Sequence, residues 1–381
     1  MKKFGNKVLE IFKKGDMLLL TLCVIATLFG IVMIYSVKAS ESMHFVTIQV
    51  GAMLAGILIY LALTAFDIDI LAGQRTILFL FNALFIGMLL IWGIEGTSGN
   101  RSWLSFPFLP FNIQPAEVCK ITYIIILAKT MSVNQTRISS PKSVLPLMFH
   151  MFFIVGLIVA ISRDTGVALI FVFIFLTMAY VGGVNLWWFL GGAGTIAATA
   201  PYIWMYALRP DQKNRIMVLF DPSLDPTGQN TLWQTNQSLK ALQNGGLSGT
   251  GLFEGKLSER GLPASHTDMI FSSIGEQLGM IGCIFVLLIL ALIIARIVYV
   301  GMKSPDYMNR LICLGIASML LFQILINIGV CLGLVPVIGL ALPFFSYGGS
   351  SILTSFVAMG IVSGIKMRPS REISAHYIRP Y

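Results

Sequence analysis

Charge is what this sequence has least of. Asp, Glu, Lys and Arg make up 11% of its 381 residues, whereas the water-facing surface of an ordinary globular chain brings the share to roughly 25%. A chain this poor in charge cannot cover a soluble exterior, so the two or three soluble domains that its length alone would suggest are excluded. Cysteine is scarce too. Cys23, Cys119, Cys283, Cys313 and Cys331 fall inside or at the ends of apolar runs, without paired spacing. Neither a disulfide framework nor a zinc site is indicated. No small-residue cleavage site follows Met17–Ser36, so that run reads as a retained helix and not as a signal peptide. No internal repeat or low-complexity segment stands out.

What is abundant is apolar surface: 56% of the residues are hydrophobic. Several runs reach the roughly 20 residues that a bilayer's hydrocarbon core requires. Cut at charge and turn signals, they predict ten spans: Met17–Ser36, His44–Phe66, Ile77–Ile94, Pro115–Met131, Val144–Ile161, Thr165–Gly182, Leu186–Ala207, Ser272–Ile294, Leu311–Leu332 and Ser346–Ile365. The fifth and sixth are separated by Ser162-Arg163-Asp164 and read as a tight hairpin. The net charge of +9 would suit nucleic acid, but its distribution does not. One side of the spans receives Lys2, Lys3, Lys7, Lys13 and Lys14, then Arg75, then Lys129, Arg137 and Lys142. The same side receives Arg296, Lys303 and Arg310, and finally Lys366, Arg368, Arg371 and Arg379. The short loops opposite carry Lys38, Arg101 and Arg163. The positive-inside rule places both termini in the cytoplasm and leaves no nucleic-acid partner to expect. The fold class is therefore an all-α polytopic membrane protein of about ten transmembrane helices, one membrane domain over residues 1–381.

One connection is long. Residues 208–271, between spans seven and eight, form an extracytoplasmic loop of roughly sixty residues, a length that is usually functional or disordered. Gly245-Gly246, Gly249, Gly251 and Gly255 favour tight turns over a loose linker, and Ile216–Phe220 is apolar enough to lie on the membrane surface.

Ionisable groups near membrane depth need a reason to be there. Glu117 and Lys120 open the fourth span three residues apart on one helix face, which allows either a self-neutralising ion pair or a functional pair. Gly99-Asn100-Arg101-Ser102-Trp103 offers a guanidinium suited to phosphate, or an interfacial Arg-Trp anchor. Asp164 fits a helix N-cap, with or without a second role. In Leu262–Phe271 a carboxylate, Asp268, enters an apolar helix start. Desolvation there raises a carboxyl pKa and makes a general base, while the bland alternative is a cap by Thr267 or Asp268 with Glu276 deeper in the helix. The last outer stretch, Asn327–Ser351, has two prolines and a Tyr-Gly-Gly-Ser-Ser run. It suits non-helical backbone lining a protein-enclosed cavity, or an ordinary loop.

Taken together, these pieces resemble the SEDS family (shape, elongation, division and sporulation), of which RodA and FtsW are the best-known members. The matching segments are Gly99–Trp103, Gln114–Lys120, Asp164-Thr165-Gly166, Asn214-Arg215-Ile216 with Phe220-Asp221-Pro222, Gln237–Gly251, His266–Phe271 and Asn327–Ser351, in family order between Tyr35 and Gly364. The resemblance implies an inverting peptidoglycan glycosyltransferase that polymerises lipid II at the outer face of the bacterial cytoplasmic membrane. The family's essential carboxylate falls on Asp268. Lys120, Arg101 and Arg215 become candidates to hold or neutralise the diphosphate. Glu117 and Asp164 would orient those cations or bind a divalent cation such as Mg or Mn. Gln237, Ser238, His266, Ser346 and Ser350 are further substrate or loop contacts. The expected partners are a class B penicillin-binding protein for peptide cross-linking and other elongation or division proteins. The short N-terminal extension leans towards the RodA branch. Two departures stand out: Pro263-Ala264 where the family usually has Pro-Glu, and Asp164-Thr165-Gly166-Val167 in place of Asp-Leu-Gly-Thr. The competing reading from another class is a flippase or transporter of lipid-linked cell-wall precursor. Such proteins commonly carry repeats and midplane polar sites, where this chain has its polar motifs towards one face. A scaffold would need no site residues at all.

Overall fold

The computed structural model describes residues 10–37, 42–95, 100–107, 110–208, 210–225 and 232–368. Lys2, Lys3, Lys7, Lys38, Gly99, Arg371 and Arg379 lie outside the described residues. A helix stands at each of the ten predicted spans. In chain order they begin with α1 (Met17–Val37), α2 (Ser42–Ala65), α3 (Arg75–Trp92), α4 (Pro115–Val133), α5 (Pro141–Ser162), α6 (Thr165–Val181) and α7 (Leu186–Tyr202). Three loop helices follow: α8 (Pro210–Phe220), α9 (Trp233–Gly245) and α10 (Lys256–Arg260). The chain then closes with α11 (Ile270–Lys303), α12 (Tyr307–Cys331) and α13 (Gly349–Met367). Among the described residues, seven helices are long and apolar enough to cross a membrane: α1, α2, α3, α5, α11, α12 and α13. A two-stranded antiparallel hairpin, β1 (Gly93–Glu95) with β2 (Arg101–Leu104), sits between α3 and α4.

The apolar runs that make these helices bury one another. The face of α13 packs along α2, α11 lies between α12 and α1, and α12 contacts α6 and α4. Phe356 of α13, Tyr60 of α2 and Phe171 of α6 are among the largest side chains with no exposed surface. α7 differs in burying none of its described side chains.

The long connection is more ordered than a loop. Its glycines make the expected tight turns, but α8, α9 and α10 fold between them, and Ile216–Phe220 is simply the second half of α8. The eighth span also exceeds its predicted bounds, Ser272–Ile294, because α11 has 34 residues. The helix is broken at Gly279 (φ 64°, ψ −161°), a conformation that side chains with a Cβ rarely adopt. The break frees backbone groups at a depth where leaving them unpaired would cost several kcal/mol. The Gly245–Gly251 turn takes them up: Thr250 and Gly251 donate to the carbonyls of Glu276 and Gln277, at 2.9 and 3.0 Å, and Met280 donates to Gly246 O at 3.0 Å. A Cβ at Gly249 would stand 2.1 Å from Gln277 O, so the two backbones meet at contact distance. A glycine inside an apolar run does not announce such an insertion.

The other end of Glu276 is also used. Its carboxylate accepts from the N–H groups of Leu257 (2.9 Å) and Ser258 (2.7 Å), capping α10 and fastening it to α11.

Candidate active site

Between the loop helices and the bundle lies a cavity of about 990 Å³, at the upper end of the range of small-molecule sites. Its wall includes His44 and Ile48 of α2, Ser102 and Trp103 of β2, Gln114 just before α4 and Glu117 within it, and Asp164 before α6. From the loop come Asn214 and Arg215 of α8, Trp233, Gln234 and Thr235 of α9, and Thr267 and Asp268. Gln323 of α12 and two stretches of the last loop, Pro336–Ala341 and Tyr347–Gly349, complete it. That last loop is non-helical, as its prolines dictate, and is enclosed by protein. Leu342, Phe344, Phe345 and Ser346 are buried, and the Gln49 side chain of α2 bridges Ser346 O (3.0 Å) and the Gly348 N–H (3.2 Å).

Asp268 does not cap α11. The helix starts at Ile270 with Met269 in the cap position and no side-chain cap bond. The residue is half-buried on the cavity wall, and among the described residues its carboxylate has neither a salt-bridge partner nor a hydrogen-bond donor. Burial, and secondarily the charge of Asp164, push its pKa up to about 6. Such a group is ionised at neutral pH yet more basic than an ordinary aspartate, which suits proton abstraction.

Asp164 both caps α6 and faces the cavity. It accepts from Val167 N–H (3.1 Å) and Ser102 Oγ (3.1 Å). Its pKa is raised first by burial, with those hydrogen bonds opposing. Glu117 lines the cavity and binds Lys120 at 2.7 Å, and Lys120 has no exposed surface. The ion pair that the helix spacing allows is therefore formed, with the ammonium beneath the carboxylate and off the cavity wall.

Of the other predicted cations, Arg215 reaches the cavity and donates to Val337 O at 3.2 Å. Arg101 is not on the wall. Its guanidinium turns to Leu90 O (3.3 Å) and Glu95 (3.8 Å), while its neighbours Ser102 and Trp103 face in. The predicted hydroxyls serve the scaffold. Ser346 Oγ donates to Thr267 O (2.7 Å) and accepts from Leu342 N–H (2.8 Å). Ser350 Oγ accepts from Gln114 N–H (3.3 Å), and Ser238 donates to Cys331 O (2.7 Å). Gln237 is half-buried outside the wall, and the His266 ring packs against Phe45 and Tyr347, with centroids 5.1 and 5.7 Å apart.

No three-ligand protein cage for a divalent cation stands among the described residues. Glu117 is neutralised by Lys120, and Asp164 is taken up by N–H and O–H donors. Sequence reasoning missed His44, Gln234, Thr235 and Gln323. Gln323 alone gave a signal, as an amide in the middle of an apolar span.

The profile of a family described as cell cycle protein (FtsW, RodA, SpoVE) matches residues 16–371. A probable peptidoglycan glycosyltransferase FtsW of Trichlorobacter lovleyi is 34% identical, over 95% of this chain and 98% of that one. A chain solved in work on structural coordination of polymerization and crosslinking by a peptidoglycan synthase complex superposes with a TM-score of 0.78. It is 28% identical, over 92% of this chain and 97% of that one. The rod shape determining protein RodA of Thermus thermophilus superposes with a TM-score of 0.69 at 25% identity, covering 94% and 98%.

Proposed function

Since the chain belongs to the FtsW, RodA and SpoVE family of cell cycle proteins, we infer that it is a multi-pass peptidoglycan glycosyltransferase of the bacterial cytoplasmic membrane. It polymerises lipid II at the outer face, where the loop helices lie. The observation that carries the reading is Asp268: a carboxylate on the wall of a large cavity, desolvated and without a cation or donor among the described residues to occupy it. In the proposed reaction it takes the proton from the acceptor sugar's 4-hydroxyl. That oxygen attacks the anomeric carbon of the donor chain, and the bond to undecaprenyl diphosphate breaks with inversion. The diphosphate leaves with the bonding electron pair, and Arg215 is the permanent cation among the described residues of the cavity wall that can meet its charge. Lys120 acts at a distance, by keeping Glu117 paired. Asp164 and Ser102 set the shape and the negative potential behind the base.

The relatives reach proteins named FtsW and RodA alike, so they carry the shared polymerase activity and not one branch, and the lean towards RodA stays with the sequence reading. A similar chain comes from a synthase complex that also cross-links. We therefore propose a class B penicillin-binding protein as the partner that supplies peptide cross-linking, with ten spans and cytoplasmic termini as the topology. The test is direct. The purified protein and partner are given labelled lipid II, and glycan ladders are read on a gel beside Asp268→Asn. Ladders from wild type and none from the variant are expected. A wild-type pair that makes no glycan would end the enzyme reading.

A further inference from the structure

We infer that Asn327 is a positioning residue for Asp268, acting through the backbone of the turn that presents the carboxylate to the cavity. The inference rests on the reading of Asp268 as the base.

Asn327 sits near the end of α12 and is 1% exposed. Its Nδ2 donates twice, to the carbonyl of Asp268 at 2.8 Å and to that of Leu340 at 2.7 Å. One side-chain amide thus ties the base's own peptide unit to the cavity-lining stretch of the last loop. The two preceding carbonyls are held by that same loop: His266 O accepts from Tyr347 N–H at 2.8 Å, and Thr267 O accepts from Ser346 Oγ at 2.7 Å. Three consecutive carbonyls are therefore each fixed from outside their own segment, and Asn327 holds the one that belongs to the base.

Leu340 is the residue after Gly339, and Gly339 is where the carboxylate meets the wall. A Cβ on Gly339, whose φ is +78°, would stand 3.6 Å from Asp268 Oδ2. The two carbonyls bridged by Asn327 flank that point, so its amide sets how far the carboxylate projects. The chemistry of the side chain supports a specific role over simple filling. Asn327 Oδ1 is buried with no partner among the described residues, a state that disfavours an amide where its donors are not needed. An apolar side chain would carry no orphan acceptor but would leave the carbonyls of Asp268 and Leu340 without their donor, so what the amide adds is its pair of donors. Positioning matters because a misplacement of about 1 Å can cost about 10²-fold in rate.

The experiment measures initial polymerisation rates against lipid II concentration for the complex with its penicillin-binding partner. It compares wild type, Asn327→Leu, Asn327→Gln and Asp268→Asn. Thermal unfolding and hydrogen exchange of the backbone around Asp268 are followed in parallel. Asn327→Leu, which leaves two carbonyls without their donor, is expected to unfold at a lower temperature, to lose about 10²-fold in kcat with KM unchanged in its folded fraction, and to exchange faster at Asp268–Ile270. Asn327→Gln, which keeps the donors on a longer stem, is expected to recover part of the lost kcat. If Asn327→Leu does not fold, Asn327→Ala, which removes the donors without overpacking, takes its place: a fall in kcat at constant KM supports the inference, and wild-type kcat overturns it. Wild-type kcat in Asn327→Leu beside an inactive Asp268→Asn overturns the positioning role alone, as does a change confined to KM. A wild-type complex that makes no glycan removes the base reading and this inference with it.

Discussion

At the end of the bundle where α1 begins, Asp16 has no exposed surface, and its carboxylate meets Arg296 of α11 at 2.8 Å and Lys366 of α13 at 3.5 Å. Its backbone is held as well: Tyr60 of α2 donates to Asp16 O at 2.6 Å, and Asp16 N–H donates to Ser363 Oγ at 3.0 Å. Four helices converge on that one residue. At the far end Asp268 is another desolvated aspartate, and its backbone is held just as firmly. Its carboxylate, however, is given neither a cation nor a donor among the described residues. The difference teaches how to tell a structural carboxylate from a working one in this bundle. Where the charge is consumed by the fold, it holds helices together, and where only the backbone is fixed, the charge is left open for the base role proposed above. Breaking a buried pair leaves a stranded charge and is strongly destabilising, whereas removing an unpaired carboxylate strands nothing.

The sharpest test of this contrast is Asp268→Asn. Polymerisation is expected to fall about 10²–10⁴-fold, the share of a general base, while thermal stability is unchanged or higher. The sign follows from the raised pKa: burial disfavours the ionised form, so the native state gains relative stability at low pH and loses it as pH rises through about 6. The neutral amide escapes that loss. Glu117→Gln is the way to break the contrast, because Glu117 lines the cavity yet is paired. If pairing marks a structural role, the variant strands fully buried Lys120 and loses about 3–5 kcal/mol of stability, read by thermal unfolding in detergent. Loss of polymerisation at full stability would instead make Glu117 a partner of the base. Asp16→Asn is expected to destabilise less than that, because Arg296 and Lys366 are partly exposed and recover solvation. Its folded fraction should polymerise at the wild-type rate. The smallest effect is a displacement of the pH profile. Activity should fall as pH drops through about 6, when Asp268 takes up its proton. In Asp164→Asn the acid limb should move to lower pH, because the neighbouring negative charge that helps to raise the pKa is gone.

The sequence made the bundle legible because a membrane span shows in composition and length: a helix stands at each of the ten runs, and seven of those described are long and apolar enough to cross a membrane. It did not reveal α9, whose Gln234-Thr235-Asn236-Gln237-Ser238 start lacks a strong helical pattern and is held by tertiary contacts such as Ser238 to Cys331 O. In the site, the Glu117–Lys120 pair could be read from spacing alone, since both partners lie within one helical turn. The serines could not. Ser346 and Thr267 are 79 residues apart, and Ser350 and Gln114 are 236 apart, so the same hydroxyl reads as a sugar contact or as a clamp until the fold brings its partner. Chemistry alone left Asp268 between cap and base. The resemblance favoured the base, and the observed helix start at Ile270, one residue beyond Met269, removes the cap.

The break at Gly279 has a consequence for anyone who wishes to recombine this molecule. By sequence, the natural seam between loop and membrane helix falls near Ile270. By hydrogen bonding it falls a little more than two turns later, because residues 270–278 share backbone bonds with Gly245–Gly251 and a carboxylate cap with α10. A chimaera that exchanges the loop for a relative's should therefore carry residues 208–279 as one cassette. One cut at Ile270 would part a surface from its own foundation.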